Sequence, residues 1–394
     1  MAPQSGWLMA CSLLFSGCYA SHERAIELDE LREDAAHTPT LAQCRPRFPE
    51  PVVLSEGRAS DGRDFDLLWT GRVFLAVFNS LDGGGWGAFA TPDGHVTPLE
   101  GESPFATRLA VVPGTPFVAA GTSFGLSVLD SVGQPVDGPL LEGPEIGQWA
   151  FRSFPVVRPA GIAVLGSVWG FRADTPSGTP LPNGVFAPSG ASAVDAPERM
   201  PTTPLVASDT NAQTLAVARD HDGFGAFAVA QDFEVLHVID FDDAASPRVS
   251  ATWPLRGEAL SLHAAFALPS ADRASFVRGT LGGALDLVWI DPRTGEEEVV
   301  AALGAESFAW TDVIELGERA VVAAPFAAAG RSSDPPLALR DYLPFGGGFT
   351  TELVVDPDAS LREVRLARFP CGIAAAWRRS ASGILLEAYD CCRP

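Results

Sequence analysis

The sequence contains no lysine, so its 27 basic residues are all arginine, and they are outnumbered by 49 acidic residues. The formal net charge is −22 at pH 7. An excess of negative charge of this size repels the phosphate backbone of nucleic acids and the surface of anionic lipids. We therefore expect no nucleic-acid partner for this chain.

Several functional motifs are also missing. The six histidines form no H-E-x-x-H pair, the six cysteines form no C-x-x-C pair, and neither glycine triplet, at 83–85 or 346–348, belongs to a G-x-x-x-x-G-K loop. These absences argue against a zinc-ribbon or zinc-protease site and against a phosphate-binding loop. No amphipathic helix is recognisable after residue 50, and 39 glycines and 33 prolines favour short strands joined by tight turns.

The longest apolar stretch near the start of the chain covers only residues 7–16, WLMACSLLFS. Ten residues are too few to span a bilayer as a helix, but they match the apolar part of a signal peptide. Residues 14–18, Leu-Phe-Ser-Gly-Cys, resemble the lipobox of bacterial lipoproteins, which implies cleavage before Cys18 and lipid attachment to its thiol. The first six residues lack arginine, so a cleaved signal without lipid and a buried first strand are the alternatives.

This resemblance predicts three segments. Residues 1–17 are a signal peptide, 18–50 are the lipidated cysteine with a polar tether, and 51–394 are the folded body. The implied location is the cell envelope of a bacterium, where acyl chains hold the exported protein on a membrane.

Four cysteines remain beyond the leader and the anchor, namely Cys44, Cys371, Cys391 and Cys392. An even number in an exported chain predicts two disulfides. Residues 369–378 and 383–390 look like two strands around a turn centred on Ala381, which places Cys371 opposite Cys391 within disulfide reach. Cys392 would then pair with Cys44 and join the two ends of the folded body.

Between residues 51 and 394 a pattern of two apolar strands separated by a glycine or polar turn recurs in seven copies. The first strands of these copies are 73–78, 117–120, 162–166, 215–218, 274–277, 320–323 and 373–377. The second strands are 86–91, 125–130, 184–187, 235–240, 284–291, 351–356 and 383–390. Their spacing of roughly 40 to 60 residues is within or slightly above the period of propeller blades.

A single blade cannot bury both faces of its sheet, so several blades must pack around an axis and the chain ends must meet. The sequence therefore predicts an all-β fold, a seven-bladed β-propeller closed by contact between the N- and C-terminal parts. A propeller of six or eight blades, a pair of β-sandwiches and another β-rich fold are the alternatives. Residues 287–295, LVWIDPRTG, resemble the strand-D-x-x-T-G turn of PQQ-type and YVTN-type propeller repeats, and in that turn the aspartate has a structural role.

Two patterns suggest chemistry. Residues 121–125 match G-x-S-x-G, which makes Ser123 a candidate nucleophile, although the apolar residues after it read as a strand rather than the required helix. Asp240, Asp242 and Asp243 offer oxygen ligands for Ca²⁺ but lack the full spacing of a calcium loop. A solvated turn is the simpler interpretation of these aspartates.

Two functions fit this sequence. The first is a non-catalytic binding or scaffolding propeller on the envelope, which holds a protein, glycan or small ligand through loops at one end of the ring. The second is a propeller hydrolase or lyase with a site at the central axis. We favour the first because no cluster of arginine, histidine and acidic residues can be aligned at matching strand ends.

Overall fold

The computed structural model describes residues 40–392, apart from 56–64, 80–84, 100–105, 112–116, 123–124, 135–140, 143–149, 159–160, 170–183, 187–197, 200–204, 208–213, 220–224, 232–234, 243–246, 255–258, 269–272, 281–283, 292, 307–310, 317–318, 327–335, 344–348, 358–360 and 380–382. Within these ranges the protein is built from strands, with one 3-10 helix, Leu41–Gln43, and no α-helix. None of its described helices could cross a membrane.

The described residues contain thirty strands. The N-terminal strands are β1 (Arg45–Pro46) and β2 (Val52–Val53). The next strands are β3 (Phe65–Trp69), β4 (Phe74–Asn79), β5 (Gly85–Ala90), β6 (Val96–Pro98), β7 (Ala106–Val111), β8 (Phe117–Thr122), β9 (Gly125–Asp130), β10 (Leu141–Glu142), β11 (Ala150–Arg158), β12 (Gly161–Trp169), β13 (Gly184–Phe186), β14 (Glu198–Arg199) and β15 (Val206–Ala207). The second half contains β16 (Thr214–Arg219), β17 (Gly225–Gln231), β18 (Val235–Phe241), β19 (Pro247–Pro254), β20 (Ala259–Leu268), β21 (Arg273–Thr280), β22 (Ala284–Ile290), β23 (Glu297–Glu306), β24 (Asp312–Leu316), β25 (Arg319–Pro325), β26 (Leu337–Tyr342), β27 (Phe349–Asp356), β28 (Leu361–Phe369), β29 (Gly372–Arg379) and β30 (Gly383–Asp390).

Most neighbours in these sheets are consecutive and antiparallel, while β10 pairs with β14 in parallel. Separate sheets contain β3–β6, β7–β10 with β14, β11–β13 with β15, β24–β27, and β28–β30 with β1 and β2. The remaining sheet has eight strands and consists of two meanders, β16–β19 and β20–β23, joined by a short parallel pairing of β16 with β20. The fold is thus the predicted all-β propeller, while the number of blades stays a prediction.

Some strands in the middle of a sheet are buried on both faces. In β4, Phe74 to Phe78 are all buried, and in β29 the same is true of Ile373 to Trp377. Such continuous apolar runs arise because each face of the sheet packs against a neighbouring blade, so that no face remains for water.

The core lies between the blades. One apolar cluster joins the β20–β23 blade to the β24–β27 blade, and a second joins the latter to the β28–β30 blade. A third joins the β28–β30 blade to the β3–β6 blade, and a fourth continues from there to the β7–β10 blade. Since the last blade packs against the first, the sheets form a closed ring.

The N-terminal segment completes the last blade. β1 and β2 both pair antiparallel with β30, so the first strands of the chain lie beside the last one. This confirms the predicted closure by the two ends. The 3-10 helix also belongs to this blade because Leu41 is buried in its core, so part of the predicted tether packs against the last blade.

The disulfide pairing corrects the prediction. Cys44 bonds to Cys391, and Cys371 bonds to Cys392. The expected register is correct, since β29 and β30 pair around Ala381 and the Cys391 amide donates to the Cys371 carbonyl at 2.8 Å.

The direction of the side chains changes the partners. Cys371 lies in the turn before β29 with a left-handed φ of 59°, so its side chain leaves the ladder. Cys391 instead enters the core beside Cys44, and both are buried. The two disulfides indicate an oxidising compartment, as expected for an extracellular or periplasmic protein.

Candidate functional site

The predicted nucleophile, Ser123, lies outside the described residues, as does Cys18. The strands on either side of Ser123 pair with each other, and Thr122 lies opposite Gly125. The chain around Ser123 therefore connects two strands of one sheet. A nucleophile elbow needs a strand followed by a helix, so this context differs from that of a hydrolase serine.

The aspartates considered for calcium are only partly described. Asp240 lies in β18 and forms an ion pair with Arg248 on β19, with 3.6 Å between Nη2 and Oδ2. Asp243 lies outside the described ranges. In the described part of the chain no three histidine, cysteine or acidic side chains are grouped as a metal site. The solvated turn, with calcium as the alternative, stays the prediction for these aspartates.

Asp291, the aspartate in the turn at residues 287–295, has the expected structural role. Its carboxylate accepts the amide of Arg293 at 2.8 Å, and its carbonyl accepts the amide of Gly295, which has a φ of 68°. The same turn recurs at Asp130, whose carboxylate accepts two amides while Gly133 has a φ of 86°. These aspartates shape turns because their side chains replace missing backbone acceptors.

Charged side chains that bridge neighbouring blades were not predicted on the inner strands. β3, β7, β24 and β28 each start a blade, and β28 contacts β24 on one side and β3 on the other, which places these strands at the inside of the ring. Asp66 on β3 accepts the amide of Leu109 on β7 at 2.7 Å. Asp312 on β24 accepts the amide of Leu366 on β28 at 2.8 Å. Each carboxylate thus ties its blade to the next one.

The closing interface carries a further set of charges. Arg365 on β28 donates from Nε to the carbonyl of Phe65 on β3 at 3.0 Å and from Nη2 to Glu363 at 2.6 Å. Its Nε lies 4.0 Å from Asp66 Oδ1. All these side chains are buried, so the charges hold the first and last blades together rather than face a ligand. The sequence feature that could have indicated these buried charges is a single charged residue within an apolar strand, as in Phe65-Asp66-Leu67.

A different cluster is exposed at the outer edge of the β24–β27 blade. The guanidinium of Arg340 lies between two aromatic rings, 3.9 Å from the centroid of Phe326 and 4.3 Å from that of Phe349. Its Nε donates to Glu352 at 2.6 Å, and the Phe349 ring meets Tyr342 edge-on. Burial raises the pKa of Tyr342 to about 12.

The hairpin formed by β26 and β27 is held in register by a buried carboxylate. Asp341 accepts the amide of Thr351 at 2.6 Å and the hydroxyl of Thr350 at 2.7 Å, and it forms an ion pair with Arg319 at 2.9 Å. Because Asp341 is fully buried, these bonds hold β26 and β27 in a fixed register. The exposed side chains above them are consequently held in place.

We define the hairpin patch as the largely buried Arg340, whose side chain is 16% exposed, with the exposed side chains on the same two strands and just after β26, namely Leu343, Phe349, Glu352 and Val354. Phe349 is 45% exposed, Val354 48% and Leu343 38%. An exposed phenylalanine stacked on an arginine was not predicted, because the pairing depends on the register of β26 with β27. The patch is the candidate binding site.

No protein-family model and no curated protein matches the sequence. The fold, in contrast, resembles many solved structures. One is the WD40 domain of Toxoplasma gondii coronin, with a TM-score of 0.51 and 10% identity over 90% of this chain and 88% of that one.

A second is a chain of the mitotic checkpoint complex, with a TM-score of 0.51 and 13% identity over 87% of this chain and 95% of that one. A third is an oligogalacturonate lyase in complex with manganese, with a TM-score of 0.52 and 13% identity over 87% of this chain and 97% of that one. At such low identity these similarities establish the propeller fold alone.

Proposed function

We propose that this protein is a non-catalytic binding propeller of the bacterial cell envelope, which is anchored through lipid on Cys18 and binds a partner protein through the hairpin patch. The observation that carries the proposal is the arginine–aromatic stack beside exposed apolar side chains. The rigid ring would act as a support that presents this surface.

The composition of the patch favours a protein over a glycan or a small ligand. Protein interfaces are enriched in aromatic residues and arginine, and their most important contacts are often made by such side chains. Phe349 and Arg340 already stack on each other, and Asp341 fixes the hairpin below them, so little entropy would be lost on binding.

The binding proposal can be tested in cells by site-specific cross-linking. We would place the photoreactive residue p-benzoylphenylalanine at position 349 and, as a matched control, at Val299, which is 52% exposed on the outer strand of the preceding blade. We expect a discrete cross-linked protein adduct from position 349 and none from position 299. Equal adducts from both positions, or none from position 349, would contradict the proposal.

The anchor can be tested separately by replacing Cys18 with Ala. We expect the wild-type protein in the membrane fraction and Cys18→Ala in the soluble fraction, because a signal peptide alone leaves no acyl chains to insert. Metabolic labelling with an alkyne fatty acid should mark the wild type only. Membrane retention of the variant would contradict lipid anchoring.

The enzyme hypothesis predicts a reactive serine. A fluorophosphonate probe should label Ser123 if that serine is an activated nucleophile, and Ser123→Ala provides the control. We expect no labelling that depends on Ser123. Labelling abolished by the substitution would favour the hydrolase.

A further inference from the structure

A buried acid lies where the ring closes. Glu387 on β30 is only 5% exposed. Its carboxylate receives hydrogen bonds from the backbone amides of Phe48 and Ala388, while Oε1 has no hydrogen-bond partner. A buried carboxyl that is only partly satisfied is costly in its charged form. Because Glu387 lies on β30, the strand with which β1 and β2 pair, this cost affects how firmly the N-terminal segment is held.

The N-terminal segment leaves the ladder beside this acid. Pro46 pairs with Tyr389 and Val52 pairs with Leu386, so residues 47–51 pass only two residues of β30, Glu387 and Ala388. Residues 47–51 are more than a regular ladder needs to pass two residues, so they bulge out of the outermost strand. We call this segment the detour. Phe48, the donor to Glu387, lies within it, and the backbone of the detour lines a cleft of about 490 Å³ against the turn at Gly94. The acid therefore lies beside the part of the N-terminal segment that leaves the ladder with β30.

The detour is also held by the side chain of Phe48, which is 3% exposed and packs in the apolar cluster between the last and first blades, and by a small set of hydrogen bonds. The amide of Arg47 donates to the Ala388 carbonyl at 2.7 Å, and its side chain donates to the Pro92 carbonyl at 2.7 Å and to Asp390 at 3.2 Å. Beyond the detour, the Leu54 amide donates to the Ile384 carbonyl at 2.8 Å. These bonds would keep β1 and β2 in place while the segment between them opened.

The charged groups around Glu387 offer it little compensation. On the adjacent strand Ala375 lies opposite Glu387, whereas Arg378 belongs to the alternating set of side chains on the other face of β29. On the neighbouring blade Asp356 binds the Trp377 indole at 2.8 Å.

The remaining charged groups lie on the closing segment and on β30. Arg47 is engaged with Asp390, Arg45 donates to backbone carbonyls of its own segment, and Glu50 is an exposed acid in the detour. Tyr389, two residues along β30, stays a neutral phenol because burial raises its pKa. An ionised Glu387 would therefore depend on the two backbone amides and on water.

We propose that Glu387 is a pH-sensitive latch, which holds the detour at residues 47–51 closed when it is protonated and favours opening of the detour when it loses its proton. Opening admits water to the carboxylate, and the closed form excludes it. The inference is independent of the anchor and of the hairpin patch.

The direction of the pH dependence follows from the burial of the acid. Burial raises the pKa of Glu387 from 4.5 to about 7 in the closed form, whereas an opened, hydrated carboxyl has an ordinary pKa. The closed form binds the proton more tightly, so closure is strongest below about pH 4.5 and weakens as the pH rises to about 7. Above that pH both forms are ionised and the equilibrium no longer changes.

Hydrogen exchange of the peptide that contains Phe48 measures this opening directly. After correction for intrinsic exchange, the linkage between the two pKa values predicts that the protection factor of the Phe48 amide falls by roughly 70-fold between pH 5 and pH 8. Glu387→Gln should abolish this pH dependence because the amide does not ionise. The Leu366 amide, which is bound to Asp312 at another interface, is the internal control and should show no such fall.

Two results would overturn the latch. One is a protection factor of Phe48 in the wild type that does not change with pH, and the other is the same fall in Glu387→Gln as in the wild type. If the variant does not fold, the carboxyl ¹³C shift of Glu387 in the wild type decides the question. Titration near pH 7 supports the latch, and titration near pH 4.5 contradicts it.

Discussion

The two disulfides provide a quantitative test of the closed ring. They use two adjacent cysteines just after β30 but close very different lengths of chain, since Cys44–Cys391 spans 347 residues and Cys371–Cys392 spans 21. We would compare the double variant Cys44→Ala/Cys391→Ala with the double variant Cys371→Ala/Cys392→Ala. Replacing both partners avoids a free thiol in either protein.

The expected losses follow from the entropy of the unfolded chain. In the chain-entropy model a disulfide that closes about 350 residues stabilises the folded state by about 6 kcal/mol, and one that closes about 20 residues by about 3 kcal/mol. The two cysteines of the long disulfide are also buried in the apolar cluster between the last two blades, whereas Cys371 and Cys392 are half-buried. The long disulfide should therefore stabilise the protein more, by a difference of at least about 2 kcal/mol.

Urea unfolding at a fixed pH of 5, where Glu387 is protonated, measures the free energy of unfolding of both variants and the wild type. Peptide mapping without reduction confirms the remaining disulfide in each variant. We expect the larger loss in Cys44→Ala/Cys391→Ala, together with a larger m-value because its unfolded chain is less restricted. Equal losses, or a larger loss from the short disulfide, would refute the argument that the long disulfide acts by closing the chain.

Two further predictions concern the bonds between blades. Asp312→Ala should lower the free energy of unfolding by about 1–3 kcal/mol because it removes the acceptor of the Leu366 amide. Asp312→Asn keeps an acceptor oxygen and should lose less stability. Equal losses of the two variants in thermal melts would contradict this assignment. Trp377→Phe should lower the free energy of unfolding by about 3 kcal/mol because it removes the indole donor to the buried Asp356 and leaves a cavity. An unchanged free energy of unfolding in urea would contradict this prediction.

Local patterns in the sequence predicted about half of the strands and missed others at the inside and at the outer edge of the blades, such as β3, β7, β23 and β28. The apolar segments at 73–78 and 373–377 lie almost entirely in β4 and β29, because a strand buried on both faces needs a continuous apolar run. The prediction missed β17 and β26, which lie between the paired segments predicted for their blades. Both are moderately polar or alanine-rich, so their strand character depends on the neighbours with which they pair.

The candidate site was harder to predict. Nothing in the local sequence distinguishes Arg340 or Phe349 from other arginines and phenylalanines. They form a patch only because β26 and β27 pair in one register. The cysteine pairing failed for a related reason. The register around Ala381 was predictable from turn symmetry, but the left-handed turn at Cys371 and the burial of Cys391 decided which thiols meet.

The sequence by itself determined the strand-rich composition, the turns at Asp130 and Asp291, and the approach of the two chain ends, because each depends on residues close together in the chain or on a repeated pattern. Only the tertiary structure decided that Asp66, Arg365 and Glu387 are buried at contacts between distant strands. A charged residue has the same local pattern on a wet surface and in a dry interface. Its environment, and therefore its role, is set by the segments that the closed ring brings against it.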